Sequence, residues 1–388
     1  MKKTAATGLL PVGLTDVLPP YALYEDEAVR KILSVFDGYG YVRVSPPLAE
    51  FEETLLHGVQ SDISAQTFRI MDPDSGKVMG IRADVTPQIG RIASTRLKNE
   101  ARPLRLAYRG HVLRVGGGRI SPAREVLQVG AELIGADSAD ADAEILLTAN
   151  EAVKELGIKE YSFDLNLPTL FPALCRAFSF DGDDAADLGR FLDEKDFYAA
   201  SSKLDDMGRK GKEAKPLFET LFQAYGECGR VCDILKGLTL PSEANAECRR
   251  LTEIVEILKA QAPEMPVTLD VLENRGFEYH CGMGFTVFSV EGGAVLGRGG
   301  RYKAGLDGST VEPACGVTFF MENVLEHCRR PDHAKRVYVP AGYPFGDASR
   351  LRREGYAVVR GLKSGGEEEA RRLSCDCILS DGGIQALK

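Results

Sequence analysis

The stretch LRVGGGRISPAREVLQVGAELIG, Leu113 to Gly135, has two unlike halves. In its second half Arg124, Gln128 and Glu132 stand four residues apart in a run otherwise rich in Val, Leu and Ile. Buried charge is costly unless it is paired or bound to a ligand, so this pattern suggests polar groups aimed into a pocket. The first half carries three consecutive glycines, Gly116, Gly117 and Gly118, and offers only backbone beside that polar set. EVLQVGAELIG and the preceding RLAYRGHVLRV read as two strands on either side of the glycine and proline stretch.

Outward from this pair, apolar residues Val29, Ile32, Leu33 and Phe36 recur at helical spacing and are closed by Gly38 and Gly40. YVRVSPP then alternates as a strand and stops at Pro46 and Pro47. TFRIMDPDSGKVMGIRADVTP reads as a hairpin about Asp-Pro-Asp-Ser-Gly, with Arg82, Asp84 and Thr86 after its second strand and a helix from Pro87 to about Lys98. Ile145, Leu146, Ala149, Val153 and Leu156 define an amphipathic helix ended by Gly157, and YSFDLNLP is a strand. LFPALCRAF, PLFETLFQAY and CRRLTEIVEILKA carry helical periodicity within a block that differs from its surroundings. Strand-and-turn character resumes at VTLDVLENRGFEYHCGMGFTVFSV, so the block reads as inserted into a sheet domain. PACGVTFFMENVLEHC predicts a last strand leading into a helix. After a linker around Arg329 to Ala334, the remainder alternates strand, helix, strand, helix, strand. The division expected is a core of residues 1–165 and 266–330, a helical insertion at 166–265 and a small α/β unit at 331–388.

The 388 residues contain 44% hydrophobic and 27% charged side chains, as in an ordinary globular protein. A net charge of -9 argues against a broad phosphate-binding surface, and no apolar run is long enough for a membrane span. The N-terminal MKKTAATGLLPVGL breaks at Pro11 without a cleavage site, so no secretory leader is expected. Nine scattered cysteines then read as reduced cytosolic thiols, with no zinc site at Cys228 and Cys232 or at Cys375 and Cys377.

Polar candidates come from separated segments: Asp84 and Thr86; Arg114, Gln128 and Glu132; Arg275 and His280; and Tyr302. Each alone has a plain structural explanation. Arg82 and Asp84 could form a turn ion pair, Gln128 and Glu132 could face water, and His280 could be a satisfied core or exposed histidine. A shared pocket would overrule these. GGGRIS does not fit the dinucleotide fingerprint, and GRGGRYKAG lacks the Gly-Lys-Ser/Thr end of a phosphate loop.

GLTDVLPP, IRADVTP, YRGHVLRVGGGRISPAREVLQVGAELIG, ENRGFEYHCGMGF, GGRYKAGL and ACGVTFFMENVL resemble, in order, the landmark motifs of histidyl-tRNA synthetases over roughly residues 8 to 330. The resemblance implies an α+β fold: a class II aminoacyl-tRNA synthetase-like antiparallel sheet flanked by helices, with a helical insertion and a small C-terminal α/β unit. Arg114 matches the arginine that contacts ATP phosphate in that family, and is grouped here with the histidine-site residues. Gln128 and Glu132 match the residues that hold histidine, while Asp84, a shorter carboxylate than the family's glutamate, and Thr86 match those that hold its α-amino group. Arg275 matches the arginine of the histidine-specific motif, His280 replaces that motif's second tyrosine, and Tyr302 keeps the tyrosine of GGRY. The departures fall on the nucleotide side: Gly116 replaces an acidic residue and Asn323 an arginine, which removes groups needed to stabilise charge on the α-phosphate.

An amino-acid site kept beside a damaged ATP site is similar to the pattern of the regulatory subunits of ATP phosphoribosyltransferase. That resemblance implies a cytoplasmic, non-catalytic subunit with no cofactor, metal, nucleic acid or membrane partner. It implies L-histidine as effector, a homodimer through the motif-1-like segment from Tyr24 to Pro47, and a hetero-octamer with the short catalytic subunit of the first step of histidine biosynthesis. A divergent histidyl-tRNA synthetase, or a synthetase-like enzyme with a different amino acid, are the alternatives.

Overall fold

The computed structural model describes residues 8–57, 61–117, 123–273, 280–306, 311–330 and 333–387. The chain forms two compact units, Met1–Arg329 and Arg330–Lys388. The first is organised by a nine-stranded sheet. Its strands run, side by side, Val42–Arg43, Leu104–Leu113, Glu125–Ile134, Glu312–Phe320, Val295–Ala304, Gly284–Ser289, Tyr161–Asn166, Val267–Asp270 and Tyr225–Glu227.

The antiparallel ladder expected from the sequence forms the middle of this sheet, and parallel pairs appear toward both edges. Val42–Arg43 runs parallel to Leu104–Leu113, and Val267–Asp270 parallel to Tyr161–Asn166. The strand expected over YVRVSPP is only two residues long. Val44 still donates to Ala107 O at 2.9 Å, but Pro46 and Pro47 have no N–H with which to continue.

Period-two alternation divides the sheet into two unlike faces. Val129, Ala131, Leu133, Cys315, Val317, Phe319, Phe163, Leu165, Phe285 and Val287 are all essentially inaccessible and share one large apolar core with the helices Tyr21–Gly38 and Ala139–Glu155. Full burial of each larger side chain contributes roughly 1.5–3 kcal/mol. Helix Tyr21–Gly38 presents Tyr24, Ala28, Val29, Ile32, Leu33 and Phe36 to that core. Ser138 caps Ala139–Glu155 by accepting from Ala141 N at 3.2 Å, with Asp140 and Asp142 in the first turn where the helix dipole favours acids. The opposite sheet face carries Tyr108, Gln128, Gly130, Glu132, Gly316, Thr318, Gly300 and Tyr302, and it holds the candidate site.

Between Tyr161–Asn166 and Val267–Asp270 the chain forms six helices: Leu170–Phe178, Gly182–Asp193, Phe197–Asp206, Gly208–Leu221, Cys228–Gly237 and Ser242–Gln261. The second, third and fifth escape the apolar pattern because they are short and polar. Their starts are nevertheless fixed by acidic caps: Asp181 accepts from Asp184 N, Asp196 from Ala199 N, and Glu227 from Gly229 N and Arg230 N. No helix among the described residues is long and apolar enough to cross a membrane.

The second unit is a four-stranded sheet in the order Ala357–Arg360, Arg336–Val339, Cys377–Ser380, Gly383–Ala386. Its first three strands are parallel and the last is antiparallel. That last strand is absent from the sequence reading, since GIQA is short, mostly exposed and without alternation.

Candidate functional site

The hairpin Phe68–Met71 and Val78–Ile81 delivers the chain to Arg82–Thr86, where helix Thr86–Thr95 begins. Asp84 Oδ1 accepts from the Thr86 backbone N–H at 2.9 Å, fixing that turn. Arg82 is spent on backbone: its Nε donates to His111 O at 2.7 Å and its Nη1 to Pro46 O at 3.0 Å. The sequence alternative of an Arg82–Asp84 turn ion pair is therefore not what this arginine forms.

Gln128, fully buried, reaches this turn from the sheet. Its Oε1 accepts from Val85 N at 3.0 Å, and its Nε2 donates to Asp84 Oδ2 at 2.8 Å. Glu132, 1% exposed, lies four residues further on the same face, with Gly130 between them. Thr86 Oγ1 at 3.2 Å and Tyr108 Oη at 3.3 Å donate to its Oε1, and Tyr302 Oη at 2.9 Å donates to its Oε2. Tyr108 Oη is also 2.7 Å from Thr318 Oγ1. The water-facing alternative for Gln128 and Glu132 is thereby overturned.

Among the described residues the hydrogen-bond donors to the Glu132 carboxyl are neutral hydroxyls, and burial outweighs what they contribute. Desolvation pushes the Glu132 pKa up to about 8, with the Asp84 charge adding in the same direction and the hydroxyl donors opposing. Burial likewise holds the Tyr108 hydroxyl protonated. The carboxyl has room because residue 316 is glycine: a Cβ there would lie 1.7 Å from Glu132 Oε2. Gly316→Ala is expected to displace the carboxyl from Tyr302 and to weaken binding of a ligand at Glu132 by about 100-fold, with the fold retained. Calorimetry on the circular-dichroism-checked variant measures this.

The structure thus joins Asp84, Thr86, Gln128, Glu132 and Tyr302 in one hydrogen-bonded set. Arg114 stands beside it, its Nε donating to Ala83 O at 3.2 Å. His280 is 8% exposed and lies over Gly300, where a Cβ would be 2.5 Å from its Cδ2. Gly300 pairs with Gly316, over which the Glu132 carboxyl sits, so His280 and Glu132 overlie neighbouring strands. Arg275 and Gly118 lie outside the described residues. Tyr108 and Thr318 were not among the sequence candidates. Their signal was register, since Tyr108, Gly130 and Thr318 form one row on the face that carries Glu132.

At Gly116 and Asn323, where the sequence departs from the synthetase pattern, the groups are short and uncharged. Gly116 N donates to Gln66 Oε1 at 3.2 Å, and a Cβ at 116 would meet only that oxygen, at 3.9 Å. Asn323 Nδ2 donates to Val295 O at 2.7 Å, so its amide caps a strand carbonyl.

A family model described as histidyl-tRNA synthetase matches residues 13–324. Among solved structures, an ATP phosphoribosyltransferase regulatory subunit/histidyl-tRNA synthetase from Bacillus halodurans C is 24% identical with a TM-score of 0.81, covering 96% of this chain and 97% of that one. Histidyl-tRNA synthetase from Nostoc sp. PCC 7120 is 15% identical with a TM-score of 0.80, covering 97% and 92%. Fold and site therefore define a protein of the class II, histidyl-tRNA synthetase-like type. Curated proteins named ATP phosphoribosyltransferase regulatory subunit from Paramagnetospirillum magneticum and Rhodospirillum rubrum are 46% and 43% identical to it. The first match covers 99% of both chains, the second 98% of this chain and 97% of the relative. The chain belongs to the family of ATP phosphoribosyltransferase regulatory subunits.

Proposed function

We propose that this chain is a non-catalytic, cytoplasmic subunit that binds L-histidine in the Glu132 pocket and carries feedback inhibition to a short-form ATP phosphoribosyltransferase catalytic subunit. The observation that carries the reading is a contrast between the residues kept and those lost. The Asp84–Gln128 and Thr86–Glu132–Tyr302 contacts form, while Gly116 and Asn323 carry no charge and are engaged by Gln66 and by Val295 O. Amino-acid recognition is kept, and the charge that would organise ATP for activation is gone.

In this reading the histidine ammonium sits at Asp84, Thr86 and Gln128. Its carboxylate sits at Arg275 with Arg114 nearby, and its imidazole at Glu132, Tyr302 and His280. Charge-assisted bonds at both ends select an amino-acid zwitterion, and a buried carboxyl that demands a donor selects the ring. The pocket needs neither metal nor cofactor for this.

Feedback requires that histidine bind two assembly states with unequal affinity, because equal affinity shifts no equilibrium. The states are active and inhibited arrangements of a hetero-octamer in which this chain is a homodimer through its 24–47 segment. Apolar side chains exposed in and beside that segment, Tyr21, Leu23, Tyr39, Val42 and Leu48, support such an interface. Mixing the purified chain with the short catalytic subunit is expected to give a co-eluting hetero-octamer whose transferase activity is raised by this chain and lowered by histidine. Neither assembly nor histidine-sensitive activation would refute the proposal.

A further inference from the structure

Beneath the candidate pocket, on the opposite side of the same strand, lies an ionic cluster, buried at Arg301 and Asp142 and reaching the surface at Asp137, that the function above leaves unused. Arg301 immediately precedes Tyr302 and is 3% exposed. Its Nε donates to Asp142 Oδ1 at 2.8 Å and its Nη1 to Ala136 O at 3.0 Å. Asp142 is fully buried in the first turn of helix Ala139–Glu155. Its second oxygen accepts from Arg250 Nε at 3.0 Å, and Arg250 belongs to helix Ser242–Gln261 of the helical block. Asp137 accepts from Arg250 Nη1, so two arginines and two carboxylates balance in charge.

A buried ion pair such as Arg301–Asp142 adds little net stability, because desolvation cancels most of the attraction; its best-attested use is to fix register. Here the register it fixes is that of the pocket. Arg301 O accepts from Cys281 N at 2.8 Å and Arg301 N donates to Met283 O at 2.8 Å, so its backbone brackets the segment that begins at His280. Its stem packs on Gly282, where a Cβ would lie 3.1 Å from Arg301 Cδ. One residue therefore holds Cys281, the neighbour of His280, through a main-chain bond and Tyr302 through the peptide they share, with its side chain anchored in Asp142.

We propose that Arg301, anchored by Asp142 and Arg250, is a positioning residue that sets Tyr302 and His280 against Glu132 and so ties the ligand pocket to the helical block. The proposal rests on the reading of the pocket as a histidine site. A planar fork that meets Asp142 and Ala136 O together fixes strand position as a single point charge would not. Lysine at 301 keeps the charge and loses the fork. Tyr302 then moves from Glu132, whose other facing groups, Thr86, Tyr108 and Asp84, are unchanged.

The test compares the full-length wild type with Arg301→Lys, Arg250→Lys and, as an exposed control on the same helix, Arg249→Ala. Two quantities are read: histidine affinity by calorimetry, and Glu132 titration in the unliganded protein by carboxyl carbon NMR. Arg301→Lys is expected to weaken histidine about tenfold or more, Arg250→Lys to weaken it less, and Arg249→Ala to leave it unchanged. The Tyr302 hydroxyl lowers the Glu132 pKa, so its withdrawal moves the titration to higher pH in Arg301→Lys. Variants that melt earlier yet keep wild-type affinity and titration would make the cluster merely structural and overturn the proposal. A wild type that binds no histidine, with the Glu132 titration still displaced by Arg301→Lys, would retire the histidine reading while the positioning role stands.

Discussion

Replacing Glu132 with alanine is expected to remove histidine binding, a loss of at least about 100-fold in affinity by calorimetry. The carboxyl is the acceptor shared by Thr86, Tyr108 and Tyr302, all buried or half-buried. Its removal takes away the acceptor those hydroxyls share and leaves the ligand's ring N–H without one, and an unmatched buried donor costs about 1–3 kcal/mol. Glutamine at 132 separates shape from chemistry. It fills the same volume above Gly316 and keeps one acceptor, but its amide nitrogen must face either the Thr86 and Tyr108 hydroxyls or that of Tyr302, so binding intermediate between wild type and alanine is expected. Unchanged affinity in Glu132→Ala, in protein whose circular dichroism matches wild type, would remove the histidine assignment.

Glu132 and Gln128 were legible in the sequence because polarity four residues apart on a strand of period two falls on one face, and the apolar neighbours buried both. Tyr108 and Thr318 were not, since a tyrosine and a threonine are ordinary strand residues. Their role exists only through pairing with Gly130, where a Cβ would sit 2.4 Å from the Tyr108 hydroxyl. Periodicity gave strand existence but not direction, so the parallel partners Val42–Arg43 and Val267–Asp270 were hidden. In the helical block the apolar stripes of Leu170–Phe178, Gly208–Leu221 and Ser242–Gln261 were readable. Gly182–Asp193 and Phe197–Asp206 announce themselves chiefly by the caps Asp181 and Asp196. The Arg301–Asp142–Arg250 cluster joins residues far apart in sequence, and no local pattern reports it.

Histidine affinity is expected to be highest between about pH 6.5 and 8 and to fall about tenfold per pH unit on either side. The acid limb follows the free ligand, whose imidazole ionises near 6.5. The alkaline limb follows Glu132, whose pKa is about 8. Ring and carboxyl together hold one proton when bound, whichever atom carries it. Between the limits the free partners already bring one proton, on Glu132, and binding exchanges none. Below pH 6.5 both partners are protonated and one proton must leave; above pH 8 neither is, and one must be taken up. Calorimetry in buffers of different ionisation enthalpy counts these protons, and a flat affinity from pH 6 to 9 would contradict the assignment of Glu132 to the ring. The unliganded protein gives a matching sign. A carboxyl raised from 4.5 to about 8 contributes stability that is fully present below pH 4.5 and lost as pH rises through about 8. Across that window wild type should therefore lose stability relative to Glu132→Gln, by an amount on the order of a few kcal/mol, read from denaturant midpoints at each pH. Histidine added at pH 9 should then restore stability while taking up a proton, so the same carboxyl links ligand, proton and folding in one equilibrium.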